Sequence, residues 1–405
     1  MTKKIPISFR KEVPEIPSTT YGTFGIYKYP AKFIPQVIAF VLKKYAKPGM
    51  KIFDPFAGYG TAGIVSRAYG YNYVMWDLNP IMNIIHDVAT IDKINLDVPA
   101  LLENINNSHE EFIPKWPNLD YWFPKEFLPM LFRAWGYVYS LPKRQQRVLL
   151  IPLLKVTRYF SYSDEKIHKL YKSKHSKKKV EKLLKSNWRG EFDRRLEKEL
   201  NLLIKRVEEY KHLNHKQVEF TLDSGKDIFD LKLNQKVDIL ITSPPYLQAQ
   251  EYIRSAKLEL FWLGYEENQI KELSKKEIPY REVERIKIYS PTYHRYKNKI
   301  EEPHLIELYE RYFNAILKIF SDLGKNVERY MCILVGPAKV RDFSIPIDDI
   351  ITEHLQNFGW KHRVTYIDKI VARVMFQSKI NPASGRKDKR MKTEHLVILE
   401  KKGKK

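Results

Sequence analysis

The chain has 405 residues, 43% hydrophobic and 13% aromatic, which is enough apolar surface for a packed core and excludes a disordered chain. Seventy-one Lys+Arg against 48 Asp+Glu leave a formal charge of +23, which favours a polyanionic partner, nucleic acid first and an anionic membrane surface second. One cysteine, Cys332, excludes an internal disulfide framework and a multi-cysteine zinc site.

The length fits two domains, or one large domain with insertions. The start, MTKKIPISFRKEVPE, has no apolar leader region. No run of about 18 apolar residues occurs, so the chain reads as a soluble cytoplasmic protein with no membrane contact. Residues 1–30 are rich in Pro and Tyr and read as an extended arm. Pro35 to Tyr45 has apolar residues at helical spacing and ends before the turn signal Lys47-Pro48-Gly49. Met50 to Phe53 reads as a short apolar strand running into Asp54-Pro55-Phe56-Ala57-Gly58-Tyr59-Gly60-Thr61. A helix over Ala62 to Tyr69 and a strand over Tyr73 to Trp76, ending at Asp77, complete the opening of a doubly wound α/β sheet.

Residues from about 100 to 215 read as helical and basic. Lys155 to Lys211 holds 18 Lys/Arg against 9 Asp/Glu, interleaved with Tyr159, Tyr162, Tyr171 and Trp188. A Lys-rich helical stretch is often only a solvated face. The aromatic interleaving favours nucleic-acid contact. The α/β pattern returns at Val218 to Asp223, and Val237 to Thr242 is a near-continuous apolar run, as a buried parallel strand requires. A second charged stretch spans about 265–303, and its Tyr289–Tyr296 run is rich in Tyr and Arg. A helix is expected over Leu305 to Phe320, then strands over Tyr330 to Val335, Trp360 to Ile367 and His395 to Leu399, with a helix near Ile347 to Phe358.

Two motifs carry chemistry. Gly58 and Gly60 lie where a strand turns into a helix, and without Cβ atoms they admit a ligand close to the backbone. Asp77 closes the next strand 19 residues beyond Gly58, where a carboxylate accepts both ribose hydroxyls of a nucleoside-type cofactor. The second motif, Thr242-Ser243-Pro244-Pro245-Tyr246, follows the buried strand and so sits at the carboxyl edge of the sheet. Two adjacent prolines rigidify that edge. The Pro244 carbonyl and the Ser243 oxygen then form a pair of acceptors, and Tyr246 offers a face for stacking a base. Two acceptors on the hydrogens of an exocyclic amino group favour a pyramidal nitrogen and free its lone pair for attack.

These residues resemble the amino-group DNA methyltransferases that use S-adenosylmethionine. The resemblance rests on DPFAGYGT (Asp54–Thr61), Asp77 and TSPPY (Thr242–Tyr246), and covers roughly residues 22–95 and 218–401. It implies a Rossmann-like doubly wound methyltransferase sheet carrying a largely helical basic insert. It also implies a cofactor set of Tyr29, Pro30, Asp54, Pro55, Phe56, Gly58, Gly60, Thr61, Asp77 and Asp223, and a catalytic loop Ser243, Pro244, Pro245 and Tyr246. Asp223 matches the acidic position that contacts the adenine amino group, although Leu222 stands where the family has glycine. The Ser-Pro-Pro-Tyr form is typical of action on cytosine N4, the Asp- and Asn-Pro-Pro-Tyr forms of action on adenine N6. Residues 1–100 then make the arm and cofactor half, 101–215 an insert for target recognition, and 216–405 the catalytic half.

The implied reaction is site-specific methylation of cytosine N4 in double-stranded DNA with base flipping, in a restriction–modification setting beside a cognate endonuclease. Adenine N6 in DNA and a base amino group in RNA are the rival targets. A non-catalytic nucleic-acid-binding protein on a degenerate scaffold is the rival class. Cys332 sits in the apolar run YMCILVG with no preceding proline, so it reads as a buried inert thiol and not a nucleophile for cytosine C5. Eleven His without HxxxH or HExxH spacing suggest no metal.

Overall fold

The computed structural model describes residues 3–30, 32–165, 170–213, 216–247, 251–278, 280–341, 343–370 and 391–403. Eight strands form one mixed sheet: β1 (Lys4–Ile7), β2 (Lys51–Asp54), β3 (Asn72–Asp77), β4 (Phe220–Ser224), β5 (Val237–Thr242), β6 (Val327–Val335), β9 (Trp360–Lys369) and β10 (Thr393–Lys401). A separate two-stranded ribbon joins β7 (Ala338–Val340) and β8 (Phe343–Ile345). The order across the large sheet is β1-β9-β10-β6-β5-β2-β3-β4. β10 runs antiparallel to both β6 and β9, and the other pairings are parallel. From β2 the chain steps outward through β3 to β4, then returns to place β5 on the other side of β2. That reversal opens a crevice beyond the carboxyl ends of β2 and β5, the place where open α/β sheets bind ligands.

The central strands are apolar on both faces because both faces are covered. Ile52, Ile239, Ile241 and Cys332 point to one core, and Phe53, Leu240, Met331 and Ile333 point to the other. Helix Pro35–Tyr45 packs in the first core and helix Pro303–Leu323 in the second. Between residues 98 and 213 the described secondary structure is helical, as expected, with helices Val98–Asn107, Leu128–Ser140, Lys143–Tyr159, Lys174–Leu184 and Trp188–Lys211. Their apolar faces extend the first core: Trp135, Leu154, Leu196 and Val207 bury in it, and Tyr210 Oη donates to the Ile64 carbonyl at 2.7 Å. The DNA methyltransferase resemblance therefore predicts the architecture correctly, as a doubly wound sheet with a helical insert.

Residues 4–29 are not an extended arm. β1 pairs with β9 from Lys4 opposite Thr365 to Ile7 opposite Asp368, which covers the open edge of the sheet. Phe9, Val13, Ile16, Phe24 and Ile26 are buried behind it. The prolines hide this in the sequence, since they break the periodicity between apolar anchors. The strand expected over His395 to Leu399 is β10, which begins two residues earlier, at Thr393.

The β1 edge is held by a buried carboxylate. Asp348 Oδ2 accepts from Lys4 Nζ at 2.8 Å, and His395 Nδ1 lies 2.8 Å from the same oxygen. Burial alone would raise the Asp348 pKa, but His395 and then Lys4 hold it at about 2, below its ordinary 3.8. A depressed carboxyl contributes stability above its unfolded pKa and loses it as pH falls through the folded value. Asp348→Asn is expected to cost about 2 kcal/mol near neutral pH and nothing near pH 2. Urea unfolding from pH 7 to 2 checks this; a constant difference between variant and parent would refute the linkage.

Candidate active site

The turn after β2 and the turn after β3 are stitched together. Gly58 and Gly60 take left-handed backbone, φ +55° and +85°, which only glycine adopts without strain. A Cβ on Gly58 would also lie 3.2 Å from the Tyr29 ring. The Ala57 N–H donates to the Trp76 carbonyl at 2.9 Å. Asp77 accepts from Gly58 N at 2.6 Å and from Asn79 N at 2.7 Å, one bond on each carboxylate oxygen. Burial nevertheless raises its pKa to about 6. Each oxygen keeps a second lone pair, so Asp77 can still receive hydroxyl donors from the crevice.

Behind this wall, Asp54 is 1% exposed. Its Oδ1 accepts from Thr242 Oγ1 at 2.6 Å and from Phe56 N at 3.0 Å. Burial raises it to about 7, with the Thr242 bond acting against the rise. This bond joins the carboxyl ends of β2 and β5. Beyond Thr242, the Tyr312 hydroxyl donates to the Pro245 carbonyl at 3.0 Å and fixes the loop. Among the described residues the Pro244 carbonyl carries no internal hydrogen bond. Tyr246 Oη donates to Glu394 Oε1 of β10 at 3.1 Å, which sets the tilt of its ring.

The crevice holds about 890 Å3 of empty space, partly open to solvent. Of the residues expected from sequence, Tyr29, Pro55, Phe56, Gly58, Asp77, Ser243 and Pro245 line it. Asp54 and Thr61 are buried behind it, and Gly60 shapes the turn. Pro30 faces an adjoining cavity that shares Tyr29, Asn79 and Tyr252 with the crevice. Pro244 and Tyr246 sit on the loop beside the crevice and do not line it. Asp223 lies inside β4 and pairs with Lys226 at 2.5 Å, off the crevice.

Asp227, Ile228, Tyr252 and Glu277 are among the lining residues that escaped sequence reasoning. Asp227 follows the left-handed Gly225, which ends β4, so the carboxyl edge lies past Gly225 and not at Asp223. That glycine was the available signal. Asp227 is 3% exposed and pairs with Arg281. Glu277 comes from the charged stretch, where nothing in the local pattern marks it. It accepts from Ile253 N at 3.0 Å, and burial raises it to about 7. The Tyr252 ring stacks on Tyr29 at 6.5 Å and 19°.

The single cysteine does not line the crevice. Cys332 is buried within β6, and burial pushes its thiol far up. Among the described residues no group of three His, Cys, Asp or Glu could hold a metal ion, and no helix is long and apolar enough to cross a membrane.

No protein-family model matches the chain. The Type II methyltransferase M.MvaI of Kocuria varians is 24% identical over 432 aligned positions, covering 93% of this chain and 91% of that protein. The Type II methyltransferase M.BsoBI of Geobacillus stearothermophilus is 23% identical, covering 82% and 78%. M.MjaII of Methanocaldococcus jannaschii, also a Type II methyltransferase, is 28% identical over 123 positions, 28% of this chain. The rRNA methyltransferase aviRa from Streptomyces viridochromogenes overlays 96% of the chain at a TM-score of 0.32 and 10% identity, too low for an argument. The two long alignments support a methyltransferase family for this chain, with S-adenosylmethionine as the implied methyl donor.

Thr242→Val removes one of two donors to a buried carboxyl and is expected to cost about 1–3 kcal/mol. Thr242→Ser keeps the hydroxyl and should cost less. Thermal unfolding of the two variants checks the tie; equal losses would mean that only packing at the methyl group matters.

Proposed function

We propose that the protein is a site-specific DNA methyltransferase acting on the N4 amino group of cytosine. The observation that carries the reading is the convergence of Ser243 and Pro245 with Gly58 and Asp77 on one crevice at the β2/β5 reversal. The relatives named Type II methyltransferases support DNA as substrate and restriction–modification as the setting.

The crevice suits S-adenosylmethionine on three counts. It lies beyond the carboxyl ends of β2 and β5, where open α/β sheets bind ligands. Two backbone turns take conformations that glycine alone tolerates. The Asp77 carboxylate can receive the ribose hydroxyls. In this reading Tyr29, Phe56, Gly58 and Asp77 hold the donor, and Asp227 takes the adenine-side role that sequence gave to Asp223. The donor, when bound, supplies an electrophilic methyl group.

The rest is done by the chain. Ser243 Oγ and the Pro244 carbonyl accept the two amino hydrogens, so the nitrogen lone pair points away from the ring. Tyr246, tilted by Glu394, stacks on the extruded base. The loop cannot yield, because Tyr312 holds Pro245 and Thr242 is bound to Asp54. No covalent enzyme intermediate is required, in keeping with the buried Cys332.

Incubation with duplex DNA and S-adenosylmethionine, followed by mass spectrometry of the digest, is expected to give N4-methylcytosine. N6-methyladenine alone would reassign the target, and 5-methylcytosine would overturn the mechanism. Modified bases only in RNA would overturn the substrate.

Tyr246→Ala is expected to lower turnover at least about tenfold, since stacking is worth about 1–3 kcal/mol per base. Tyr246→Phe keeps the ring and loses the hydroxyl's bonds with Glu394 and Ser243, so most activity should persist. Cofactor affinity by calorimetry should stay unchanged in both. A sharp fall in melting temperature with lost cofactor binding in Tyr246→Ala would show that the ring serves the fold instead.

A further inference from the structure

The cations of residues 155–211 fall into distinct groups once the helices are placed. Lys155 and Arg158 are turned inward and pair with Glu199 and Glu259. On helix Trp188–Lys211, Arg194 and Arg195 bind Glu191, Lys205 faces Glu209, and Lys211 binds Glu208. Such local pairs are what a merely solvated basic face looks like.

Helix Lys174–Leu184 is different. Ser176, Val180 and Leu183 bury its inner face. Lys174, His175, Lys177, Lys178 and Lys182 are exposed on the other, with Lys185 just beyond. Between residues 172 and 189 there are eight Lys/Arg and one acid, Glu181. Among the described residues none of Lys174, Lys177, Lys178, Lys182 and Lys185 has a carboxylate in ion-pair reach, whereas the lysines of helix Glu267–Lys275 do. Lys174, Lys177, Lys178 and Lys182 stand at helical spacings of three and four, where like charges repel. The first turn holds no acid to offset the helix dipole. The fold tolerates an arrangement that disfavours the helix and gains nothing from it internally; a polyanion would reverse the sign of every one of these terms.

Two further observations orient that polyanion. Tyr121 and Tyr171, 56% and 53% exposed, flank the helix, and the Lys172 ammonium lies 4.4 Å above the Tyr121 ring. On the inner side, Lys179 Nζ donates to the carbonyls of Tyr159 and Ser161. Tyr159 lines the adjoining cavity that meets the crevice at Tyr29 and Tyr252. The inner side of the helix is thus anchored to a wall residue of that cavity, and its basic face is turned outward.

We propose that the outer face of helix Lys174–Leu184 seats the phosphate backbone of duplex DNA. Eleven residues span about 16 Å, enough to meet several phosphates of a duplex carrying one charge per about 1.7 Å of axis. The proposal rests on the reading of DNA as substrate and divides the insert: this helix meets phosphate, and the cations of its neighbours hold the fold.

The test uses the full chain. One variant carries Lys174→Gln, Lys177→Gln, Lys178→Gln and Lys182→Gln. A control carries Lys205→Gln, Lys211→Gln, Lys271→Gln and Lys275→Gln, four lysines that already have carboxylate partners. Affinity for a random-sequence duplex is measured against salt. The first set is expected to reduce the magnitude of the negative slope of log K against log salt by about 3–4, the control by less than about 1. S-adenosylmethionine affinity should be unchanged in both. An unaltered slope in the first set, or equal changes in the two sets, would overturn the proposal. So would a loss confined to single-stranded RNA or to vesicles of anionic lipid. Failure of the methylation reading is separable: a protein that methylates no DNA yet shows the selective slope loss keeps the interface and loses the reaction.

Discussion

The Thr242 hydroxyl on the Asp54 carboxylate is the bond on which the geometry of the crevice depends. It spans 188 residues of sequence and closes the gap between the two strands whose ends form the site. Everything on the crevice floor is referenced to it. Asp54 also caps the turn that places Gly58, and Gly58 binds Asp77. Thr242 is the last residue of β5, so the loop of Ser243 and Pro244 leaves from the same point. A buried carboxyl is expensive, and its raised pKa reflects that cost. Its use here is to make two loops from distant parts of the chain into one rigid body.

The distribution of charge follows from the same division of labour. The protein is strongly basic overall, yet its crevice gathers Asp77, Asp227 and Glu277. Lys32, Lys226 and Lys276 line the same crevice, and Asp227 pairs with Arg281. Burial raises Asp77 to about 6 and Glu277 to about 7. A sulfonium donor carries positive charge, and its arrival would favour their ionised forms. The crevice thus holds charges of both signs, whereas the outer face of helix Lys174–Leu184 is almost wholly cationic.

Much of this was legible in the sequence. The apolar run Val237–Thr242 could only be a strand covered on both faces, and the glycines of Asp54–Thr61 required a strand-to-helix turn. Helix Pro35–Tyr45 ends where its turn signal falls. What sequence missed has physical causes. Asp223 matched by spacing, but β4 continues one residue further and the turn at Gly225 moves the edge to Asp227. Glu277 and Tyr252 reach the crevice through tertiary packing, which no local periodicity encodes. The segment before Pro35 looked unpacked because its apolar anchors follow neither a helical nor a strand period, yet they fill a core already built by other elements. The charge excess of the insert was visible, but not which lysines had partners, since pairing depends on rotation about each helix axis.

The edge pairing of β1 has a consequence for how the molecule is made. Lys4 is synthesised 361 residues before its partner Thr365. At about 5–20 residues per second, the first strand waits roughly 20–70 s for the strand it joins. β10, which lies between β9 and β6, emerges later still. One whole side of the sheet is therefore completed only after β10 has emerged. Until then β6 presents an unpaired apolar edge and β1 has no strand beside it, although Phe9 and Ile16 can already pack on helix Pro35–Tyr45. Two unpaired strand edges persist through that interval, which makes it the most aggregation-prone stage of synthesis.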